Sequence, residues 1–375
     1  MGNGFRNWLR RRREGAEFPK LDDYDATKIT LNPEIFGNGL EAMSMPVSFV
    51  FEGGGVGDYI NWCSSIKFIH ETYPQVDGRI FTSELFLEVA QYLFKDYPRW
   101  IIANRSEFTK YHVQGSLVAH PKRGSQLLNA CGAHLMDLAF HYFSCTNPPP
   151  EKYNYLLDIH FEGKWKWPEL DPDSRFAVFT PGSTTDVREM PVKPFNELVR
   201  YTLKQGVTPV FLGKRDLSEG YQAKFLNYDL TNGIDLRERT SLLQATQIMR
   251  KARFVIGLDN GLLHMAGTTN VPVIFGHNIT AIHHRDLRRK AGLTVNITAD
   301  QRTIPCIGCQ SKMRFLYKHD FRNCVYKESY PELEKRCLPA MFKDDSAEWK
   351  KAIDHVLEKG DKTRGISKNL DIYVR

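Results

Sequence analysis

From about residue 46 almost to its end, the chain alternates short apolar runs with stretches whose apolar residues recur every three or four positions. Compact β-branched and aromatic runs mark buried strands, and the wider spacing marks amphipathic helices. The first unit, "PVSFVFEGGGVGDYINWCSSIKFIHETYP", reads strand, glycine loop, helix. Its strand covers roughly Val47 to Glu52. Its helix follows Asp58, with Ile60, Cys63, Ile66 and Phe68 or Ile69 at helical spacing, and Pro74 stops it. "GRIFTS" then predicts a strand, "SELFLEVAQYLF" a helix, "WIIAN" a strand and "GAHLMDLAFHYF" a helix.

The stretch "CTNPPPEKYNYLLDIHFEGKWKWPELDPDS" breaks this rhythm with Pro, aromatic and charged residues, and reads as a linker. A second series follows: strand "RFAVFTPGS", helix "VKPFNELVRYTLKQG" closed by Gly206, and strand "VTPVFLG". Ser241 and Gln244 have the spacing of a capping box and open the next helix. Strand "FVIGLD", a helix from about Gly261 and strand "VPVIFG" complete the alternation, and "SAEWKKAIDHVLEKG" predicts a last helix with Trp349, Ile353, Val356 and Leu357 on one side. Alternating strands and helices predict parallel sheets covered on both faces. The expected architecture is α/β, with two Rossmann-like domains facing each other across a cleft. The expected organisation is an extension over 1–45, an acceptor-side domain over 46–165, a nucleotide-binding domain over 175–345, and a C-terminal helix and tail over 346–375.

A length of 375 residues agrees with two domains rather than one core. The chain is 42% hydrophobic and 25% charged, with no apolar stretch long enough to span a bilayer. "MGNGFRNWLRRRREG" reads as neither a secretory signal nor a myristoylation site, since Arg6 stands where Ser or Thr is wanted. The net charge of +7 and the run Arg10 to Arg13 favour anionic partners: nucleotide phosphates, nucleic acid or an anionic membrane surface. An odd cysteine count of 7 points to a reducing compartment, hence a cytoplasmic location, peripheral to the inner membrane face if the basic surface docks there.

Two junctions carry chemistry. In open parallel sheets ligands lie beyond the carboxyl ends of the strands, against helix N-termini whose unpaired amides suit phosphate. Gly53 to Gly57 and Asp259 to His264 both fall at such places. Glycines there let the backbone approach a ligand. Asp259 can hold its loop by accepting backbone amides, while a plain helix cap at Asp259 and a core packing role for His264 account for the same residues.

"VIGLDNGLLHMAGTTNVPVIFG" resembles the hallmark of the ADP-heptose heptosyltransferases of glycosyltransferase family 9, a strand ending in Asp-x-Gly-x-x-His-x-Ala followed by a strand ending Phe-Gly. "EGGGVGDYINWCSSIKFIHETYP", "FTPGSTTDVREMPVKPFNELVRYTLKQGVTPVFLGKRD" and "LRERTSLLQATQIMRKARFVIG" are similar to other segments of that family, in the same order, so the resemblance covers about residues 46–340. It implies a GT-B fold and an inverting transfer of a sugar from a nucleotide-diphosphate donor, ADP-heptose-like, with no metal needed for catalysis.

Carried onto this chain, the resemblance makes Asp58 the general base that takes the acceptor proton, with Gly55 and Gly57 in the acceptor-side loop. Ser183, Thr184 and Thr185 match the loop that contacts the donor phosphates. Arg188 stands where the family often has Lys, and a guanidinium adds bidentate phosphate recognition. Asp259, Gly261, Leu262 and His264 match the diphosphate loop, with the amides of Gly261 and Leu262 as donors. "DPD", Asp171 to Asp173, has the look of a metal-binding Asp-x-Asp pair but reads as a linker turn. The loop "HNITAIHHRDLRRKAG" departs from the family pattern, and His283, His284, Arg285, Arg288 and Arg289 there read either as a reader of an unusual donor or anionic acceptor, or as a solvated face. Cys306, Cys309, Cys324 and Cys337 have spacing that would let four thiolates hold a structural zinc, with buried thiols as the alternative.

The acceptor stays open. A hydroxyl of a bacterial surface saccharide such as lipopolysaccharide core is the family's usual target. A hydroxymethylated base in DNA is the alternative, served by the Arg run, the basic loop and "KWKWP". An epimerase or non-catalytic sugar-nucleotide binder on the same fold is the third reading.

Overall fold

The computed structural model describes residues 46–51, 55–111, 117–119, 134–142, 151–183, 186–214, 228–304, 307–309 and 337–374. The extension over 1–45 and the first two glycines of the 53–57 loop lie outside them.

The described strands form two all-parallel sheets. The first begins with β1 (Val47–Val50), which leads into α1 (Val56–Thr72). It continues through β2 (Gly78–Thr82), α2 (Glu84–Leu93), β3 (Ile101–Asn104), the single turn α3 (Phe108–Tyr111) and β4 (Leu117–Ala119), in the order β3-β2-β1-β4. Every residue of β1 is buried, as a central parallel strand requires. Helix α4 (Leu135–Tyr142) packs on α1.

The second sheet has seven strands. β5 (Phe176–Thr180), α5 (Val192–Lys204), β6 (Thr208–Phe211) and β7 (Ile234–Asp235) build one wing. The chain then crosses back through α6 (Leu242–Lys251) to β8 (Val255–Leu258), on the other side of β5. The capping box expected of Ser241 and Gln244 is formed: the Gln244 amide donates to Ser241 Oγ at 3.3 Å and the Ser241 amide to Gln244 Oε1 at 3.0 Å. α7 (Gly261–Gly267), β9 (Val273–His277), the turn α8 (Ile282–Arg285) and β10 (Gly292–Ala299) follow. The complete order is β11-β10-β9-β8-β5-β6-β7.

The stretch 346–375, expected as a helix and tail, does more. α9 (Cys337–Met341) leads into α10 (Lys343–Thr363), where Asp344, Asp345 and Ser346 adopt left-handed backbone before the regular helix. Trp349, Ile353 and Val356 are buried against the sheet as their spacing predicts. β11 (Ser367–Val374) then adds a parallel edge strand to β10 over eight residues.

Among the described residues two large apolar clusters organise the molecule, beside a small one of Val50, Phe81 and Ala103. One lies between the far face of the seven-stranded sheet and helices α5 and α10. The other is continuous from the first sheet and α1, through Leu156, Ile159 and Trp167 of the linker, to α6, α7 and the near face of the second sheet. The two sheets are therefore tied by shared core around α1 and α7.

Candidate active site

Strand order reverses between β5 and β8, so the loops that follow them leave the sheet side by side at its carboxyl edge. Gly257 permits this pairing, because a Cβ there would lie 2.3 Å from Thr180 Oγ1 and 2.7 Å from Thr180 O. Asn260 fastens the two loops. Its Nδ2 donates to Thr180 O at 3.0 Å, and its Oδ1 accepts from the amides of Leu262 and Leu263 at 3.0 and 3.2 Å.

Behind that turn, Asp259 is buried. Oδ2 accepts from Thr280 Oγ1 at 2.9 Å, Oδ1 faces His264 Nε2 at 3.3 Å, and Arg188 Nη1 stands 3.7 Å from Oδ2. Burial pushes this carboxyl up, but the His264 hydrogen bond and the charges of Arg285 and Arg188 outweigh it and hold the group well below the usual carboxylate range. The His264 tautomer follows from its second contact. Asn61 Nδ2 donates to Gly57 O at 2.7 Å, which fixes the amide group, and the same nitrogen lies 3.3 Å from His264 Nδ1. Nδ1 therefore accepts, and Nε2 carries the proton donated to Asp259. The His264 ring is buried in the core, as the packing reading has it, and it braces the turn through Asp259.

Asp58 sits at the first turn of α1. Oδ2 accepts from the Gly55 amide at 2.8 Å, so the residue serves the helix end. Oδ1 accepts from Arg285 Nη1 at 2.9 Å. Burial raises the Asp58 carboxyl, while the Arg285 charge and the Gly55 amide more than reverse this and leave it below the ordinary value. The side chain stays 30% exposed, unlike that of Arg285 at 8%. The turn carrying Asp58 touches α7 directly. A Cβ at Gly57 would lie 2.4 Å from the His264 ring, and one at Gly261 would lie 3.0 Å from Val56 Cβ. The structure thus brings together Gly55, Gly57, Asp58, Gly261, His264, Asp259 and Arg188. Ser183 lies in the loop after β5, buried, with an Oγ that has no hydrogen-bond partner among the described residues.

Residues 135–280, which include β5, β8 and the Asp259 turn, match the family model "Glycosyltransferase family 9 (heptosyltransferase)". Over that stretch, less than half of its length, the chain is similar to family 9 glycosyltransferases. Solved structures agree on the fold. The iron-containing dodecameric glycosyltransferase TibC from enterotoxigenic Escherichia coli H10407 aligns over 84% of this chain and 77% of its own, at 16% identity and a TM-score of 0.62. A family 9 glycosyl transferase from Veillonella parvula DSM 2008 aligns over 86% of this chain and 100% of its own, at 13% identity and a TM-score of 0.55. TibC in complex with ADP-D-beta-D-heptose matches at 15% identity and a TM-score of 0.60, over 84% of this chain and 77% of its own. No curated protein matches by sequence. The architecture is that of GT-B heptosyltransferases, as expected.

Several expectations for the site are redrawn by the structure. The Leu262 amide is engaged by Asn260 rather than open to a phosphate. Asp259 accepts from side chains, Thr280 and His264, where backbone amides were expected. The arginines of the basic loop are not a solvated face, although His283 is exposed. Arg288 forms a two-pronged ion pair with Asp137 of α4 and donates to Asn154. Arg289 is buried on the carbonyls of Thr269, Val271 and Ala291, and burial lowers it to about 9. His284 is buried too, which leaves Arg285 as the loop arginine paired with Asp58. The tryptophans of "KWKWP" serve the core rather than offering two open faces. Trp167 is 2% exposed in the core, and Trp165 packs edge-on against it while its Nε1 donates to Leu170 O at 2.7 Å. The "DPD" segment is a turn held by Asp171 Oδ1, which accepts the Asp173 amide at 3.0 Å.

Thr184, Thr185, Cys306 and Cys324 lie outside the described residues, as do Arg10 to Arg13. Among the described residues no group of three His, Cys, Asp or Glu is placed to hold a metal ion, and no helix is long and apolar enough to cross a membrane. Sequence reasoning did not assign Arg285 to Asp58. The only signal was its membership of a loop that departs from the family pattern, and nothing in that loop distinguishes Arg285 from Arg288 or Arg289.

Proposed function

We propose that this chain is an inverting glycosyltransferase that moves a sugar from a nucleoside-diphosphate donor, ADP-heptose-like, to a hydroxyl of a bacterial surface saccharide. The observation that carries the reading is an ionised, partly exposed carboxylate, Asp58, on a helix turn in contact with the Asp259–His264 turn of a family 9 domain. A neighbour solved with ADP-D-beta-D-heptose supports the donor class.

In this mechanism the acceptor oxygen bonds to the anomeric carbon from the face opposite the donor diphosphate. The bond from that carbon to the diphosphate oxygen breaks, and its electron pair leaves with the diphosphate. The acceptor proton passes to Asp58, whose low proton affinity keeps it ionised before the step. Ser183 Oγ supplies an unengaged buried hydroxyl beside the β5 loop, and Arg188 supplies positive charge for the departing group. Asp259, His264 and Asn260 hold the frame.

The test is a panel of ADP-, GDP- and UDP-sugars, ADP-heptose included, scored for nucleotide release with parent and Asp58→Asn proteins. The reading expects Asp58→Asn to lower turnover at least 100-fold, the scale of a lost general base, with donor affinity within threefold of the parent. Equal loss of both would remove Asp58 from the base role.

A further inference from the structure

Arg285 reaches Asp58 across 227 positions of sequence, from the turn after β9 to the first turn of α1. The contact is single-pronged, Nη1 to Oδ1, and it leaves Nε buried with no hydrogen-bond partner among the described residues. The carboxylate is pinned from two sides, because its other oxygen accepts the Gly55 amide at 2.8 Å. A guanidinium only 8% exposed must stay paired, since an uncompensated buried charge is strongly destabilising. Arg288 and Arg289, three and four positions on, are committed to Asp137 and to backbone carbonyls. Arg285 is the loop arginine aimed at the proposed base.

We infer that Arg285 is a positioning residue for the acceptor base: it fixes which lone pairs of Asp58 face the incoming hydroxyl, at some cost in base strength. The inference rests on the reading of Asp58 as the base. Its chemistry is a trade. A cation 2.9 Å from a carboxylate lowers proton affinity, which alone would slow proton removal. A carboxylate clamped at both oxygens offers one fixed approach to the hydroxyl, and this alignment is worth more to the rate than the lost basicity. The other groups facing Asp58 cannot replace it. His264, on α7, already has Nδ1 and Nε2 committed to Asn61 and Asp259, and the Gly55 amide holds one oxygen only. Tyr59, beside Asp58 on α1, is held protonated by burial, its hydroxyl pushed up to about 12.

The trade has a signature that neither a structural role nor a donor-binding role produces. Arg285→Gln and Arg285→Lys are compared with the parent in the full chain. The Asp58 midpoint is read by carbon-13 NMR of labelled Asp carboxyls, assigned with Asp58→Asn, and turnover is read as ADP release from ADP-heptose. In Arg285→Gln the midpoint should rise by about one pH unit or more while kcat falls about tenfold, with donor KM within threefold. In Arg285→Lys, which keeps the charge and loses the planar fork, the midpoint should return most of the way and kcat should recover only in part.

A midpoint that does not move, a kcat that rises with it, or a KM that rises tenfold at constant kcat would each overturn the inference, the last by making Arg285 a donor ligand. If Arg285→Gln does not fold, Arg285→Lys alone decides, and a parental kcat sinks the idea. Should Asp58→Asn turn over like the parent, the base reading fails by itself, while the NMR shift still reports whether the pair exists.

Discussion

Gly57 stands where a methyl group has no room. A Cβ there would lie 2.4 Å from His264 Cδ2, and that ring is already held by Asn61 on one nitrogen and Asp259 on the other. Gly57→Ala must therefore turn the imidazole or part α1 from α7. Overpacking of this kind costs about 1–3 kcal/mol, so a melting temperature lowered by several degrees is expected. Turnover should fall about tenfold or more, because small displacements of a catalytic frame are expensive. Unchanged melting and turnover together would show that the helices do not approach this closely. The residue scale is also where the sequence was most uneven as a guide. Asp58, Asp259, Gly261 and His264 carry a recognisable spacing. Arg285 has none, because an ion pair spanning 227 positions leaves no trace in local pattern. Leu262 shows the opposite error: the spacing marks its amide as a donor, and it cannot report that the neighbouring Asn260 side chain has taken that donor.

Among the elements, α7 is too short to hold itself. Seven residues make two turns at most, well under the length at which a helix persists alone. Its beginning depends on Asn260, whose oxygen satisfies two amides and whose nitrogen ties the turn to β5. Asn260→Ala removes all of these bonds and should cost about 1–2 kcal/mol in denaturant unfolding, whereas Asn260→Asp keeps the caps, loses the donor to Thr180 and should fall between. Equal stability of all three would deny the clamp. Elements whose apolar pattern is unbroken, such as β1, β5, β8 and β9, were legible before any coordinates. β10 and β11 were not. β10 is wholly buried yet carries Thr294, Asn296 and Thr298, polar side chains that hide a core strand from a hydrophobicity pattern. β11 lies at the sheet edge with six of its eight residues exposed, so burial imposes little alternation on it.

At the scale of the whole molecule, two buried ionisable groups pull its stability in opposite directions as pH changes. His277, at the end of β9, is fully buried; its Nε2 lies 3.0 Å from Asn296 Oδ1 and its Nδ1 has no partner. Burial lowers it from about 6.5 to about 4. The unfolded chain binds this proton more readily, so the stability His277 confers is complete above pH 6.5 and is lost as pH falls toward 4. Asp286, just beyond α8, behaves inversely. Burial raises it from 3.8 to about 6, so its contribution is complete below pH 3.8 and is lost as pH rises through 6. Each shift spans about two units, roughly 3 kcal/mol at 1.36 kcal/mol per unit, discounted for Asp286 because its side chain is 23% exposed. The windows overlap between pH 4 and 6 with opposite slopes, so the parent protein should show little net change there from this pair. Single substitutions expose each arm. Measured against the parent, Asp286→Asn should gain stability more steeply from pH 4.5 to 6.5 and His277→Gln less steeply, whatever slope the buried His134 adds to all three. Urea unfolding at three pH values across that range reads both slopes. If the two variants instead depart from the parental slope in the same direction, the compensation between the ends of β9 and α8 does not exist, and the pH dependence of this fold must come from elsewhere.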